Sequence, residues 1–198
     1  MVSLSEDPIS CTLVQHHKKK ARTMKDIELR LVSELMKNSR RSDKELAKAI
    51  GVSQPTVSRL IRKLEREGVF TEYTVLPDFA KLGYRIFSLT FCTWQKGVTK
   101  DEMGKAWEWA LKRVDKAPSN IVFIERGIGL DFNSVLGSFH KDYESYSRLI
   151  QYLKTNPFLD TDKLESFLIC LDDEVHYQPL TLSTLAQHLL EIREKERK

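Results

Sequence analysis

Apolar residues recur at helical spacing in the first third of the chain and mostly at strand spacing after it. Ile27, Leu31 and Leu35 repeat every four residues, which predicts an amphipathic helix that begins near residue 25. The same pattern gives two further short helices, and Gly68 closes the last of them. Two short apolar runs then indicate a small wing of two strands. The two helices are predicted at residues 42–50 and 53–67, and the two strands of the wing at residues 69–70 and 73–76.

Capping residues fix where the second and third helices begin and end. Ser42 and Glu45 form a capping box, in which each side chain accepts a hydrogen bond from the other residue's backbone amide. Gly51 suits the left-handed position that ends the second helix. Ser53 is placed to cap the third helix, and Pro55 falls in its first turn. Three helices joined by such a tight turn, followed by a wing, predict a winged helix-turn-helix.

The remainder of the chain predicts four strands and two helices. In chain order they are strand 84–93, helix 99–114, strand 121–125, strand 130–139, helix 142–155 and strand 164–171. The order βαββαβ is that of a ferredoxin-like domain, so the fold class is α+β. The glycines of 127–129 are expected to break the chain between the second and third strands. A last helix follows Pro179, with Leu182, Leu185, Leu189 and Ile192 on one face.

The predicted sheet has apolar residues on both of its faces. In the first strand Phe87, Leu89 and Phe91 lie on one face, while Ile86 and Cys92 lie on the other. A four-stranded sheet with helices on one side needs only one apolar face, so the other face must be covered. A partner's sheet is the simplest cover, which predicts a homodimer or a higher even oligomer. The alternative is cover by the C-terminal helix.

Charge distinguishes the two parts of the chain. Residues 1–68 carry 15 Lys and Arg against 9 Asp and Glu, whereas residues 69–198 carry 17 against 19. The excess of positive charge points to an anionic partner for the first part only. The predicted organisation is a basic tail at 1–24, the winged helix-turn-helix at 25–76, the ferredoxin-like domain at 83–172 and the C-terminal helix at 180–198.

The third helix carries the candidate binding residues. Val57, Leu60 and Leu64 share its apolar face, and the opposite face is rich in hydrogen-bond donors. Such donors suit base edges and phosphates, so this helix is expected to enter the major groove of duplex DNA. The alternative is that the polar face of this helix is simply exposed to solvent and binds no ligand. The candidate DNA contacts are Ser53, Gln54, Pro55, Thr56, Ser58, Arg59, Arg62 and Lys63.

These motifs resemble the leucine-responsive/asparagine-regulator (Lrp/AsnC) family, particularly its archaeal members. The resemblance covers residues 25–76 and rests on the stretches 38–47, 51–53, 57–59 and 64–70. It implies a dimeric, sequence-specific transcriptional regulator whose sheet domain binds a small-molecule effector such as an amino acid. The family's glycine-then-acid loop has a looser counterpart here, which implies effector contacts by Gly127, Gly129 and Asp131.

Other classes of protein are less well supported. Cys11, Cys92 and Cys170 are far apart and the five His residues lack metal spacing, so no metal or cofactor is expected. Neither a signal peptide nor an apolar run long enough to span a bilayer is present, which predicts a cytoplasmic protein. No catalytic residues are predicted. An architectural DNA-binding protein without an effector is the nearer alternative, and a siroheme decarboxylase-like enzyme, which shares the layout, is the remoter one.

Overall fold

The computed structural model describes residues 24–95, 120–175 and 180–195, which divide into two compact units. The helical unit comprises residues 24–76 and the C-terminal helix, and the sheet unit comprises residues 77–95 and 120–175. The helical unit contains α1 (Asp26–Lys37), α2 (Asp43–Ile50), α3 (Gln54–Arg66) and α5 (Ser183–Lys195). The sheet unit contains β1 (Ile86–Trp94), β2 (Ile121–Gly129), β3 (Phe132–His140), α4 (Tyr143–Lys154) and β4 (Leu159–Cys170). The predicted helix at 99–114 and nearly all of the tail at 1–24 lie outside the described residues.

Leu31 from α1, Leu46 from α2, and Val57 and Leu64 from α3 are almost completely buried together. The ends of the helices follow the predicted caps. The Ser42 amide donates to Glu45 Oε2 at 2.8 Å and the Glu45 amide donates to Ser42 Oγ at 3.3 Å. Gly51 has the predicted positive φ, at 75°. The three-helix arrangement is therefore confirmed.

The two strands predicted for the wing are not formed. Residues 70–78 run without regular secondary structure, and side chains hold the segment to α3 instead. The rings of Phe70 and Tyr73 lie 5.8 Å apart, and the Tyr73 hydroxyl donates to Glu65 Oε1 at 2.9 Å. Predicted strands of two and four residues offer very few ladder hydrogen bonds, and an isolated two-stranded hairpin has little stability of its own.

The sheet unit is a four-stranded antiparallel sheet in the order β2-β3-β1-β4. α4 packs on one face, where Leu149 and Leu153 join Cys92, Leu136 and Leu159 in a buried cluster. This strand order, with a helix between β3 and β4, agrees with the ferredoxin-like prediction. The α+β fold class is confirmed.

Two of the predicted strand limits are wrong. β2 does not stop before the glycines but continues to Gly129, which pairs with Phe132. The chain reverses through Leu130 and Asp131, whose φ values of 53° and 62° are those of a two-residue type I′ turn. β4 begins at Leu159 rather than 164, because a register shift in β1 after Cys92 allows Trp94 to pair with Leu159.

The face of the sheet opposite α4, called the open face below, is apolar. Leu89 lies at its centre and pairs with Gly137 on one side and Phe167 on the other. The ring of Phe123 lies over Gly137, where a Cβ atom would be 2.3 Å from it. Phe167 is 64% exposed and Ile169 is 37% exposed. Among the described residues, the turn at 79–84 covers one end of this face, with the Phe79 and Phe139 rings 4.0 Å apart.

The C-terminal helix α5 belongs to the helical unit, where it packs against α1. Ser33 and Ala186 are fully buried at this contact, where the Ser33 hydroxyl donates to the Ala186 carbonyl oxygen at 2.9 Å. Of the predicted apolar stripe, Leu182, Leu185 and Ile192 are about half exposed, whereas Leu189 is half-buried. The small side chain of Ala186 allows the two helices to approach closely.

The α4-facing side of the sheet contains a layer of buried polar side chains. His140 is 1% exposed, and its Nε2 lies 2.9 Å from Ser138 Oγ and 3.2 Å from Ser88 Oγ. Its Nδ1 lies 2.9 Å from Asn120 Nδ2, and that amide also donates to the Phe139 carbonyl oxygen. An amide donor at Nδ1 assigns the proton of the neutral ring to Nε2, which donates to a serine hydroxyl.

The buried imidazole makes stability depend on pH. Burial lowers the pKa of His140, against weaker opposing effects of a hydrogen bond to the Ser145 backbone and of the Asp142 carboxylate. The unfolded chain therefore binds a proton at higher pH than the folded one. We expect the free energy of unfolding to be constant above pH of about 6.5 and to fall below it. Denaturant titrations should show a weaker decrease for His140→Gln. His188→Gln, at an exposed position of α5, is the control and should keep the wild-type decrease.

Candidate nucleic-acid interface

The rotational phase of α3 is set by its buried side chains. Val57 and Leu64 are fully buried, and Leu60 and Ile61 are half-buried beside them. The opposite side of α3 faces solvent, as the apolar period predicted. Of the eight predicted contact residues, five are exposed, namely Ser53, Gln54, Pro55, Arg59 and Arg62. These five side chains lie on one side of the helix and its first turn.

Hydrogen bonds link the side chains at the start of α3. Ser53 occupies the N-cap position as predicted, but its hydroxyl pairs with Thr56 Oγ1 at 2.8 Å and caps no backbone amide. Arg59 Nη2 donates to the same Thr56 oxygen at 3.3 Å. Thr56 is half-buried, so it holds these two exposed residues in place. The first turn of α3 therefore presents a connected polar surface with positive charge.

Ser58 and Lys63 have partners within the helical unit. The Ser58 hydroxyl donates to Asp43 Oδ2 and, at 3.3 Å, to the Gln54 carbonyl oxygen. Lys63 Nζ lies 2.7 Å from Glu28 Oε1. Side chains engaged in this way are less available to a ligand than those of Arg59 and Arg62. The geometry favours a structural role for Ser58 and Lys63.

The Glu28 carboxylate connects α1 to α3. It is completely buried, and its second oxygen accepts the Lys25 amide at 2.9 Å, so it caps α1 while pairing with Lys63 on α3. A buried carboxylate is costly unless it is paired and hydrogen-bonded, which both contacts provide. The sequence pattern gave no sign of this link, because the two residues lie 35 positions apart.

Further basic side chains surround α3 in the helical unit. Arg40, before α2, and Lys44 and Lys48, on α2, are exposed, as is Arg66 at the end of α3. Two nearby carboxylates already accept hydrogen bonds, Asp43 from Ser58 and Glu65 from Tyr73. The surface around the exposed side of α3 is therefore rich in cationic groups, as a phosphate-binding surface requires.

The three predicted effector residues, Gly127, Gly129 and Asp131, do not line one common site in the structure. Gly127 and Gly129 lie within β2, whereas Asp131 lies in the following turn and borders a cleft of about 480 Å³. Phe91 and Phe132 line this cleft with their rings 5.8 Å apart. Neither glycine lines it.

An ion pair lies at the edge of the same cleft. Lys163 Nζ is 2.7 Å from Asp131 Oδ2, and this carboxylate raises the pKa of Lys163. The cleft thus combines an aromatic surface with one cationic group, that of Lys163, and three carboxylates, those of Asp131, Asp162 and Glu165. Sequence reasoning missed Lys163, which is 32 positions from Asp131 and belongs to β4.

Other kinds of site are not found in the part of the chain that the structure describes. No group of three or more His, Cys, Asp or Glu side chains among residues 24–95, 120–175 and 180–195 is arranged to hold a metal ion. Over the same ranges no helix is sufficiently long and apolar to span a bilayer.

Comparison with known proteins identifies the helical unit. Residues 24–71 match the family model described as winged helix-turn-helix DNA-binding. An uncharacterised HTH-type transcriptional regulator of Pyrococcus abyssi is 36% identical over 63 residues, which are 32% of this chain and 43% of that one. The regulator LrpC of Bacillus subtilis is 37% identical over 67 residues, 34% of this chain and 46% of its own. The chain thus spans less than half the length of these curated relatives.

Solved structures extend the similarity to both units. The structure of Bacillus subtilis LrpC has a TM-score of 0.60 and 25% identity, and covers 79% of this chain and 100% of its own. A transcriptional regulator of Neisseria meningitidis in complex with L-Met has a TM-score of 0.62 and 19% identity, and covers 82% and 99%. The resemblance to Lrp/AsnC regulators is confirmed. These proteins are regulators rather than enzymes, in agreement with the sequence analysis.

The contribution of the Glu28–Lys63 pair to stability can be tested by changing Lys63 and, as a control, its exposed neighbour Arg62. Lys63→Met removes the ammonium group that pairs with the buried Glu28 carboxylate at 2.7 Å, so the free energy of unfolding should fall by about 1–3 kcal/mol. Arg62→Met, one position along the same helix but exposed, should change stability by less than about 0.5 kcal/mol. Denaturant unfolding followed by circular dichroism measures both. Equal stability of the two variants would contradict the structural role of Lys63.

Proposed function

We propose that this chain is a sequence-specific, duplex-DNA-binding transcriptional regulator that acts as a homodimer or a higher even oligomer. The observation that carries the proposal is the exposed basic side of α3, held in place by the buried stripe on its other side. A helix about 10–12 Å across fits the major groove of B-DNA. A duplex-DNA partner agrees with a cytoplasmic location.

The exposed residues of α3 have distinct roles in this proposal. Gln54 and Arg59, in the first two turns, are the candidates for base contacts, because recognition helices enter the groove by their N-terminal residues. Arg62 lies one turn farther along and is the candidate for a phosphate contact. Ser53 and Thr56 orient Arg59, and Pro55 adds an apolar surface beside them.

The open face supports the proposed dimer. A contiguous apolar surface of this kind marks an interaction site on a globular protein. It is centred on Leu89 and includes the exposed side chains of Phe167 and Ile169. A two-fold pair of sheets buries these side chains in both copies at once and presents two α3 helices to two half-sites.

The cleft beside the β2–β3 turn supports binding of an amino-acid effector. Asp131 offers a carboxylate to an α-ammonium group and Lys163 offers an ammonium to an α-carboxylate, while Phe91 and Phe132 supply an apolar surface. The solved structure of the Neisseria meningitidis regulator contains L-Met. Titration calorimetry with apolar amino acids tests this part. An architectural protein without an effector gives no heat with any of them and bends DNA regardless of sequence.

The first test compares Arg59→Ala with Arg62→Ala on a duplex selected from a random pool. The wild-type affinity should fall steeply with salt, because several phosphates are neutralised. Arg59→Ala should cost about 1–3 kcal/mol and relax preference at one base. Arg62→Ala should weaken all sequences alike and reduce the log–log salt slope by about one. Fluorescence anisotropy measures affinities and slopes.

Flat affinity between low and moderate salt would count against the docking of α3 on DNA. Retention of full affinity and specificity by both variants would count against it as well.

The second test concerns the dimer. Phe167→Glu places a charge on the open face, and the protein should become monomeric because burial of an unpaired carboxylate opposes association. Tyr143→Glu changes a residue of nearly equal exposure, 65% against 64%, at the start of α4 and should remain dimeric. Light scattering at micromolar concentration gives the mass. A dimeric Phe167→Glu variant would show that the open face is not the interface.

A further inference from the structure

The cleft beside the β2–β3 turn carries more negative charge than a neutral amino acid needs. Asp131 and Lys163 form an ion pair there, with 2.7 Å between Lys163 Nζ and Asp131 Oδ2. Asp162 and Glu165 line the same cleft. In the part of the chain that the structure describes, neither the Asp162 nor the Glu165 side chain accepts a hydrogen bond or forms an ion pair. The cleft therefore has two further carboxylates that the ion pair leaves uncompensated.

Glu165 lies beside the aromatic surface of the cleft. It is directly opposite Phe91 across the β1–β4 ladder, and Lys163 and Phe167 follow it at two-residue spacing on the same face of β4. Directly opposite residues of an antiparallel pair have their Cβ atoms about 4.5–5.5 Å apart. A ligand that rests on the Phe91 ring is therefore within reach of the Glu165 carboxylate.

An apolar side chain and a cationic side chain have opposite effects at this position. An apolar side chain on the aromatic surface shields Glu165 from water and gives it no partner, which costs free energy. The aliphatic stem of a lysine or arginine side chain lies equally well on the rings of Phe91 and Phe132, while its cationic end pairs with a carboxylate. The faces of the rings also attract a cation. A long side chain with a cationic end thus matches both the rings and the carboxylates.

We propose that the effector of this cleft is a basic amino acid, whose side-chain cation is held by Glu165 and Asp162. The proposal rests on the proposed function, which pairs the α-carboxylate with Lys163 and the α-ammonium group with Asp131. Each charged group of the ligand then has a partner of opposite sign. The cleft, at about 480 Å³, is within the usual size range of small-molecule sites.

Matched ligands test the preference for a cationic side chain. L-Norleucine is L-lysine without its ε-ammonium group, and 1,5-diaminopentane is lysine without its α-carboxylate. Titration calorimetry on the full-length wild-type protein measures the affinity of all three. L-Lysine should bind at least about tenfold more tightly than L-norleucine, because it gains charge-assisted hydrogen bonds. It should exceed the diamine by a similar factor, since the diamine has no group for Lys163.

Two double variants assign the preference to the cleft. Asp162→Asn with Glu165→Gln removes both charges at nearly constant volume, and the variant should bind L-lysine and L-norleucine within about threefold of each other. Glu125→Gln with Glu174→Gln removes two exposed carboxylates that do not line the cleft and should keep the wild-type preference. Glu125 lies in the same cross-strand row as Glu165 but on the opposite edge strand, about 14 Å away.

L-Norleucine bound by the wild-type protein as tightly as L-lysine overturns this inference and leaves an amino-acid effector in place. The diamine bound as tightly as L-lysine also overturns it, because Lys163 then holds no α-carboxylate. A wild-type preference retained without Asp162 and Glu165 charges overturns the assignment to the cleft. The absence of heat with every ligand overturns the inference together with the effector. Operator binding is measured separately without ligand, and its absence is a failure of the proposed DNA-binding function.

Discussion

The burial of Val57 and Leu64 against α1 and α2 is the constraint on which the rest of the helical unit depends. Both side chains are fully buried, so α3 has one rotational phase and Arg59 and Arg62 must face solvent. The Glu28–Lys63 pair acts in the same direction, because it fixes the first turn of α1 against the last turn of α3. A packed core is not continuously deformable, and this makes the exposed residues a preformed surface.

The two faces of the sheet unit differ in the side chains that they carry. The face toward α4 contains a hydrogen-bonded polar layer around His140, beside an apolar cluster at Leu136 and Leu149. The open face is apolar around Leu89. A satisfied polar network specifies one packing arrangement, whereas an exposed apolar surface favours association. The face toward α4 therefore fixes the packing within the unit, and the open face favours association with another molecule.

The sequence predicted the elements whose causes are local. The Ser42–Glu45 capping box, the turn at Gly51 and the apolar period of α3 depend on residues a few positions apart, and the structure agrees with all three. Pairings between distant segments could not be predicted in this way. They include the Glu28–Lys63 pair and the contact of Ser33 with Ala186.

Two predictions of local structure are wrong, those for the strands of the wing and for the end of β2. The two strands of the wing were predicted from short apolar runs, but so short a hairpin gains little from its hydrogen bonds and the contacts of Tyr73 prevail. The glycines before Leu130 were expected to end β2, but they only shift its register between Arg126 and Gly129, and pairing resumes at Gly129. The assignment of individual DNA contacts on α3 stays a prediction.

Methylation interference on a selected operator tests the central claim most directly, that the exposed side of α3 binds in the major groove. Dimethyl sulfate modifies guanine N7 in the major groove and adenine N3 in the minor groove. We expect guanine methylation to block binding in two clusters about one helical turn apart, or a multiple of it, and adenine methylation inside those clusters to have no effect. Interference from adenine alone, or from neither base, would contradict the docking of α3.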